Sequence, residues 1–482
     1  MFNIKIIIKI LGYLLIVEGI AMLLALGVAL FYQEPEVIPI MKSSLICIFV
    51  GVIVVALLQN AKKGICKNDG FLLVSLTWII LSLFGSLPYL LSGSVKSLTD
   101  AFFETMSGFT TTGASVLTNI ESLSKGILFW RSLTQWIGGL GIIILSLIIL
   151  PVFGIGGIQL FSTEVPGPLS DKMMPKIQQT LKNIGITYIL LSLTETILLR
   201  ICGMTLFDAV NHSLTTISTG GFTTKQASIG HWNSPLIQYI IIFFMLLAGT
   251  NFTLIYSLFS KRKSWLSKNE EFKYYISFII GFTCIIFSGL LLTTPLGFEK
   301  VFRDSLFQVV SIITTTGYVT TDYRTWIPFL KLLIFVLFFI GASTGSTGGG
   351  IKIMRVVLLL KNSYYELRRL LHPNAVIPVR MNKQAVPESI ITNVLAFFMI
   401  YFSIFSFSTI ILTIMEPDLH SAMGAVASCM ANIGPGLGHF GPTNSYYYLP
   451  AAGKWFLSFL MVLGRLELFT VLVLFSRAFW KK

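Results

Sequence analysis

Four runs of small residues, each closed by glycine, carry the recurrent chemistry of this chain: Thr110 to Gly113, Ser218 to Gly221, Thr314 to Gly317 and Ala431 to Gly434. None brings a nucleophile beside a base, and none sets His, Cys or acids at ligand spacing. What they offer is backbone. Small residues let several chains approach one axis, and glycine adopts conformations that turn a carbonyl inward without a Cβ clash. A hard monovalent cation leaving water loses its hydration shell, and rings of carbonyl oxygens replace it. The candidate ligands are therefore Thr110, Thr111, Thr112 and Gly113, then Ser218, Thr219, Gly220 and Gly221, then Thr314, Thr315, Thr316 and Gly317, and last Ala431, Asn432, Ile433 and Gly434. The fourth run is the most divergent and a single glycine position is common to all, so the ring is expected to be asymmetric.

The elements that must hold these runs are also repeated. Each run ends a unit that opens on a residue of helix N-cap type, Asp100, Asp208, Asp304 or Ser421, followed by about ten half-apolar residues. That predicts a short helix whose negative C-terminal dipole end faces the run and favours a cation. The opening residues read as caps rather than ion ligands. At about half the length of a membrane span, these helices are expected to be re-entrant. The units recur roughly every hundred residues, between hydrophobic segments near 6–32, 40–60, 70–93, 128–152, 180–203, 235–260, 274–294, 327–360, 388–415 and 452–479. The expected fold is an all-α polytopic membrane protein. Two leading transmembrane helices (1–68) precede four helix/pore-loop/helix repeats (69–160, 161–265, 266–383 and 384–482) around one pseudo-fourfold pore.

Composition agrees with that class. A 482-residue chain with 54% hydrophobic and 12% charged residues and a mean hydropathy of +0.80 is too apolar to be soluble. The formal net charge of +14 collects in connecting loops and lacks interleaved aromatics, so it reads as topology rather than nucleic-acid binding. Lys5, Lys9, Lys62, Lys63, Lys67, Lys172, Lys176, Lys182, Lys261, Arg262, Lys263, Lys268, Lys273, Lys361, Arg368, Arg369, Arg380, Lys383, Lys481 and Lys482 fall on one side. Both termini are thus expected in the cytoplasm, with the glycine-closed loops entering from outside. Trp130, Trp232, Trp326 and Trp455 stand at the starts of the outgoing helices, where an interfacial belt accounts for them. Pro166, Gly167 and Pro168 read as linker. The five cysteines and five histidines form no disulfide framework and no zinc pattern. The N-terminal apolar run carries Glu18 and lacks a cleavage site, so it is expected to be retained as a helix. No covalently bound cofactor is implied, and no cluster supports an enzyme.

Two features occur once. The segment 327–360 would be roughly 50 Å long as one helix, against a bilayer core of about 30 Å, so a break is expected in its polar stretch Gly341–Lys352 (GASTGSTGGGIK). Such a break needs protein or water around it and could form a gate below the ring. A phosphate loop is disfavoured because Ile351 stands where the lysine should be and no strand precedes the stretch. Arg465, in MVLGRLELFT, lies deep in the last span. It either pairs with an acid (Glu467, Glu18 or Glu195) or sets a positive barrier beside the pore.

Together TTTGAS, STGGF, TTTGY, NIGPG, GASTGSTGGGIK and GRLELFT make the whole chain resemble the Trk/Ktr/HKT superfamily of potassium transporters, most closely its TrkH type; the two leading helices favour the Trk branch. The resemblance implies K+ sites at the backbone of the four runs. It implies a gate formed by Ser343, Thr344, Gly345, Ser346, Thr347, Gly348, Gly349, Gly350 and Arg465. It also implies a homodimer in the bacterial inner membrane, associated with a cytosolic TrkA-like nucleotide-binding ring. The expected function is K+ uptake through a channel-like filter. The alternative is a transporter coupled to H+ or Na+, which would call for inverted repeats and midplane acids.

Overall fold

The computed structural model describes residues 2–61, 66–153, 174–259 and 269–480. Lys62, Lys63, Lys172, Lys261, Arg262, Lys263, Lys268, Lys481, Lys482, the linker Pro166 to Pro168 and the boundaries expected at 160/161 and 265/266 lie outside the described residues. Helices dominate, and among the described residues the strands are a short hairpin, Arg380–Met381 with Gln384–Ala385. Its turn residues Asn382 and Lys383 both take positive φ, as a two-residue hairpin turn requires.

Among the described residues seven helices are long and apolar enough to cross a membrane. Two form a leading hairpin, Ile4–Phe31 and Val37–Leu57. Ser44 Oγ donates to Gly19 O across it at 2.7 Å, a close small-residue contact of the kind that joins helices where no hydrophobic effect operates. The hairpin also braces the first repeat. Glu34 accepts from the amides of Lys125 and Gly126 at 2.7 and 2.9 Å, satisfying two free donors at the start of a helix.

Each repeat then has an entry helix, a short pore helix and an exit helix. In the first these are Lys67–Gly85, bent into Leu87–Leu91, then Leu98–Phe109 and Lys125–Phe153. The second has Met174–Ile201, Leu206–Ile217 and Pro235–Ala248. The third has Glu270–Thr293, Phe298–Ile313 and Pro328–Leu337, continued after a break by Ile353–Leu371. The fourth has Glu388–Thr413, Leu419–Ala431 and Ala451–Arg465. Outward faces expose Leu193, Leu291, Met399 and Phe407, whereas Thr105, Ser107, Thr215, Ser311 and Ser428 of the pore helices are buried. This distribution, apolar outside and polar within, suits a lipid solvent.

Three exit helices break, where one break was expected. The third does so at Gly341–Lys352 as anticipated. The second, read from the sequence as continuous over 235–260, stops at Ala248 and restarts at Phe252. The fourth, read as continuous over 452–479, bends by 111° after Arg465. The second and third breaks complete one another: Gly249 O accepts from Ser343 N at 3.0 Å, and Phe252 N donates to Gly345 O at 3.1 Å. Backbone groups freed by one broken helix are thus satisfied by the other, which a break at membrane depth demands. The fourth break carries positive φ at Glu467 (58°) and Leu468 (45°), and Glu467 is held by Arg355 at 2.5 Å.

Two further expectations are corrected. The pore helices start before the aligned polar residues: Asp100, Asp208 and Ser421 come three residues after the capping position, and Asp304 seven. The capping positions are Ser97, Thr205, Gly297 and Asp418. Trp130 is fully buried and donates to Gly85 O at 3.0 Å, and Trp326 is also buried, so an interfacial belt does not explain these two.

Candidate functional site

All four pore helices end in the same backbone device. Thr111, Thr219, Thr315 and Asn432 take φ of 50°, 53°, 57° and 57°, and two residues later Gly113, Gly221, Gly317 and Gly434 take 83°, 76°, 79° and 103°. Thr111 N donates to Gly108 O and Thr112 N to Ser107 O, both at 2.9 Å. The same two bonds close the other helices, from Thr219 and Gly220, Thr315 and Thr316, and Asn432 and Ile433. This Schellman closure satisfies the last helical carbonyls. Of the carbonyls in the four runs, Ser218 O, Gly220 O and Gly434 O already accept from protein donors. A β-branched residue at positive φ is strained, yet threonine takes that place three times. Asparagine tolerates it better, so the divergent fourth copy preserves the backbone path.

The glycines close the ring. A Cβ on Gly113 would strike Gly220 O, one on Gly221 Thr316 O, one on Gly317 Ile433 O, and one on Gly434 would lie 2.7 Å from Thr112 O. Repeats 1, 2, 3 and 4 therefore adjoin in chain order, each glycine against the carbonyl before its neighbour's glycine. Of the sixteen residues expected to line the ring, all are buried except Gly113 and Gly221, which together with Gly317 and Gly434 line an outer mouth shared with Ser115, Arg131 and Asn444.

Residues that sequence reasoning missed hold the ring from behind. Gln135 donates through Nε2 to Gly220 O at 2.7 Å and accepts from Phe222 N at 3.0 Å. Arg131 pairs with Glu104 at 2.7 Å, donates to Thr223 O at 3.0 Å and lies 3.5 Å over the Phe222 ring. Glu104 also accepts from Ser115 Oγ and Val116 N. Tyr318 OH lies 2.5 Å from Thr215 Oγ1, and Tyr446 OH donates to Gly434 O at 3.0 Å. The signal for the first two was present, since Arg131 and Gln135 are polar, four residues apart, and inside an apolar helix. The aligned acids turn out to be staples. Asp208 accepts from Thr224 Oγ1 at 2.6 Å and Asp304 from Thr320 Oγ1 at 3.3 Å, while Asp100 pairs with Lys454 at 2.6 Å. At the outer start of the fourth pore helix, Asp418 accepts from the hydroxyl and amide of Ser421. The hydroxyl's hydrogen bond above all holds that carboxyl below the usual carboxylate range.

Directly beneath the ring lies the loop of the third exit helix. Gly349 N donates to Thr315 Oγ1 at 2.6 Å, and Thr347 Oγ1 lies 3.1 Å from Ile217 O. A Cβ on Gly348 would come within 3.0 Å of Thr314 O, and one on Gly349 within 2.5 Å of Ala431 O. The loop therefore reaches the inner ends of the second, third and fourth runs. Thr344 N donates to Glu271 at 2.6 Å, Ser346 Oγ to Ser343 O at 2.6 Å, and Lys352 Nζ to Gly348 O at 2.6 Å. Gly345 and Gly350 take positive φ.

Arg465 meets this loop from the fourth exit helix. Its Nη1 donates to Thr347 O at 2.8 Å, while Nε and Nη2, both buried, have no partner among the described residues. The counter-charges expected as an alternative do not reach it. Glu467 is taken by Arg355, and neither the buried Glu18 nor the buried Glu195 forms an ion pair with Arg465 among the described residues. A positive charge is thus held to the loop that meets the inner ends of the second, third and fourth runs.

The comparisons agree with this architecture over the whole chain. The family model TrkH, described as a cation transport protein, matches residues 38–482. The Trk system potassium uptake protein TrkH of Halomonas elongata is 38% identical over 483 residues, spanning 100% of both chains. That of Escherichia coli K12 is 39% identical over 486 residues, spanning 98% of this chain and 99% of the relative. The crystal structure of the potassium transporter TrkH from Vibrio parahaemolyticus superposes with a TM-score of 0.92 at 36% identity, covering 99% of this chain and 100% of the other. Fourfold loops, a broken exit helix and full-length likeness converge: the chain belongs to the TrkH family of cation transport proteins.

Proposed function

We propose that this chain takes up potassium across the cell membrane through a gated pore whose filter is the ring of four non-identical loops. The observation that carries the reading is the closed contact of each filter glycine with the carbonyl of the next repeat. On that reading the ring's carbonyls would line one axial path. In this reading Thr110 to Gly113, Ser218 to Gly221, Thr314 to Gly317 and Ala431 to Gly434 bind K+ as cargo, with no covalently attached cofactor. The loop from Ser343 to Gly350 and Arg465 form the gate. The relatives named as potassium uptake proteins support the choice of ion. The chain works as a carrier of ions rather than an enzyme. We place it in a bacterial inner membrane with both termini cytoplasmic, as a homodimer under a TrkA-like nucleotide-binding ring that meets the basic cytoplasmic loops. The repeats share one orientation, which favours a pore over alternating access.

Cation flux into proteoliposomes holding this chain tests the reading. Uptake of K+ in preference to Na+ is the expected result. Equal entry of both ions, or none of either, would overturn it.

A further inference from the structure

We propose that Gln135 is a specificity-determining positioning residue for the second quarter of the ring: its carboxamide takes the place of a side chain that the second run lacks, and holds the Gly220 carbonyl against the pull of a smaller ion. The inference rests on the potassium-uptake reading and deepens it, since Gln135 lies outside the four runs.

The third place of the runs holds Thr112, Gly220, Thr316 and Ile433. Three of these carry side chains packed into the wall of the ring, each buried to within 1% exposure. Thr112 Oγ1 lies 2.8 Å from Thr110 Oγ1 and accepts from Asn432 Nδ2 at 2.9 Å, and Thr316 Oγ1 lies 2.8 Å from Thr314 Oγ1. The second run has no side chain there, and backbone conformation is not the reason: Gly220, unlike Gly221 beside it, does not take positive φ. Space is the reason. A Cβ on Gly220 would strike the carboxamide of Gln135, which reaches across from the exit helix of the first repeat, Lys125–Phe153.

That carboxamide is fully buried, and both its ends are engaged. Nε2 donates to Gly220 O at 2.7 Å and Oε1 accepts from Phe222 N at 3.0 Å, so Gln135 brackets the filter glycine Gly221. The partners also fix its orientation, because a reversed amide would set N–H against N–H and oxygen against oxygen. Gly220 O is in addition the carbonyl that a Cβ on Gly113 would strike. One side chain of the first repeat therefore holds the seam between the first and second quarters. Among the four runs only this one has two adjacent glycines, which gives it the greatest backbone freedom. Contraction of this quarter around an ion smaller than K+ would draw Gly220 O away from Nε2 and cost that hydrogen bond. The carboxamide supplies the stiffness that threonine gives the first and third runs.

Bi-ionic reversal potentials of the full chain in liposomes test this. Gln135→Met keeps the length of the side chain and removes both hydrogen bonds; it should lower the K+ over Na+ permeability ratio by about fivefold, the worth of one hydrogen bond. Gln135→Ala should do the same and leaves room at Gly220. Adding Gly220→Thr to Gln135→Ala rebuilds the side chain of the first and third runs and should recover most of the lost ratio, whereas Gly220→Thr alone collides with Gln135 and should lower it. A ratio unchanged in both single Gln135 variants, even with a lower thermal unfolding midpoint, would make Gln135 a packing residue and overturn the proposal. A double variant no more selective than Gln135→Ala would overturn the replacement of one side chain by the other. The two levels separate in the unmodified chain: if it admits Na+ as readily as K+, the uptake reading fails; if it prefers K+ and the variants keep that preference, the role of Gln135 fails alone.

Discussion

The sharpest demands fall on single residues in the ring. Gly317 takes φ of 79°, and a Cβ there would strike Ile433 O, the carbonyl of the next repeat. A side chain therefore costs about 1–2 kcal/mol in backbone strain and displaces an oxygen from the pore as well. Gly317→Ser, and likewise Gly113→Ser, should lower the K+ over Na+ permeability ratio by roughly tenfold, since 1.4 kcal/mol of lost discrimination corresponds to that factor. Reversal potentials under bi-ionic conditions measure it, and an unchanged ratio would remove these glycines from the selective ring. Arg465 makes the opposite kind of demand. Its charge has no acidic partner among the described residues, so on the proposed reading Arg465→Ala removes a barrier rather than a structural pair and should raise basal K+ flux by about ten- to a hundredfold. Behind the ring, Glu104→Gln leaves the Arg131 guanidinium buried without its carboxylate. Breaking a buried pair in this way costs about 3–5 kcal/mol, which thermal unfolding in detergent should register as a lower midpoint.

At the scale of elements, the repeat was legible because its signal is local. A polar run closed by glycine, behind ten half-apolar residues, reads the same wherever it occurs, and the break at Gly341–Lys352 announced itself by polarity within an apolar stretch. The breaks after Ala248 and after Arg465 did not. Gly249, Thr250 and Asn251 are too few to lower the hydropathy of their segment, and what opens that helix is a contact with Ser343 and Gly345 nearly a hundred residues away. Likewise the bend at Glu467 and Leu468 depends on Arg355, which belongs to a different repeat. The pore helices began earlier than the alignment suggested because Asp208 and Asp304 bond forward to Thr224 and Thr320, a tertiary use that their type alone cannot distinguish from capping. These contacts make the loop a shared part of three helices. Deleting residues 345–350 should both raise basal flux and loosen the second exit helix, seen as faster amide exchange around Phe252. Raised flux with unchanged exchange there would show that the loop gates without bracing its neighbour.

For the whole molecule, the decisive property is that one chain surrounds one axis with four unlike quarters in the same orientation. Only the first quarter has the buried pair Glu104–Arg131 behind it, and only the third and fourth exit helices supply the loop and Arg465, so in the proposed reading permeation is shared by all four while control is not. A pore of this kind needs no second ion. The membrane potential alone supplies about 2.3 kcal/mol per elementary charge for each 100 mV, enough to concentrate K+ inward through a passive path. An ion-coupled mechanism would instead need a protonatable or Na+-binding group that alternates in access. The buried carboxyls of Glu18 and Glu195 lie on the leading hairpin and on the second entry helix and are not among the sixteen residues of the ring. Current through reconstituted chains should therefore persist with no proton or sodium gradient and reverse at the K+ equilibrium potential. Imposing a one-unit pH gradient should leave that reversal unmoved. A coupled carrier moving one proton per K+ would shift it by about 30 mV, half the proton gradient's roughly 59 mV per pH unit, and a shift of that size would replace the pore reading with coupled transport.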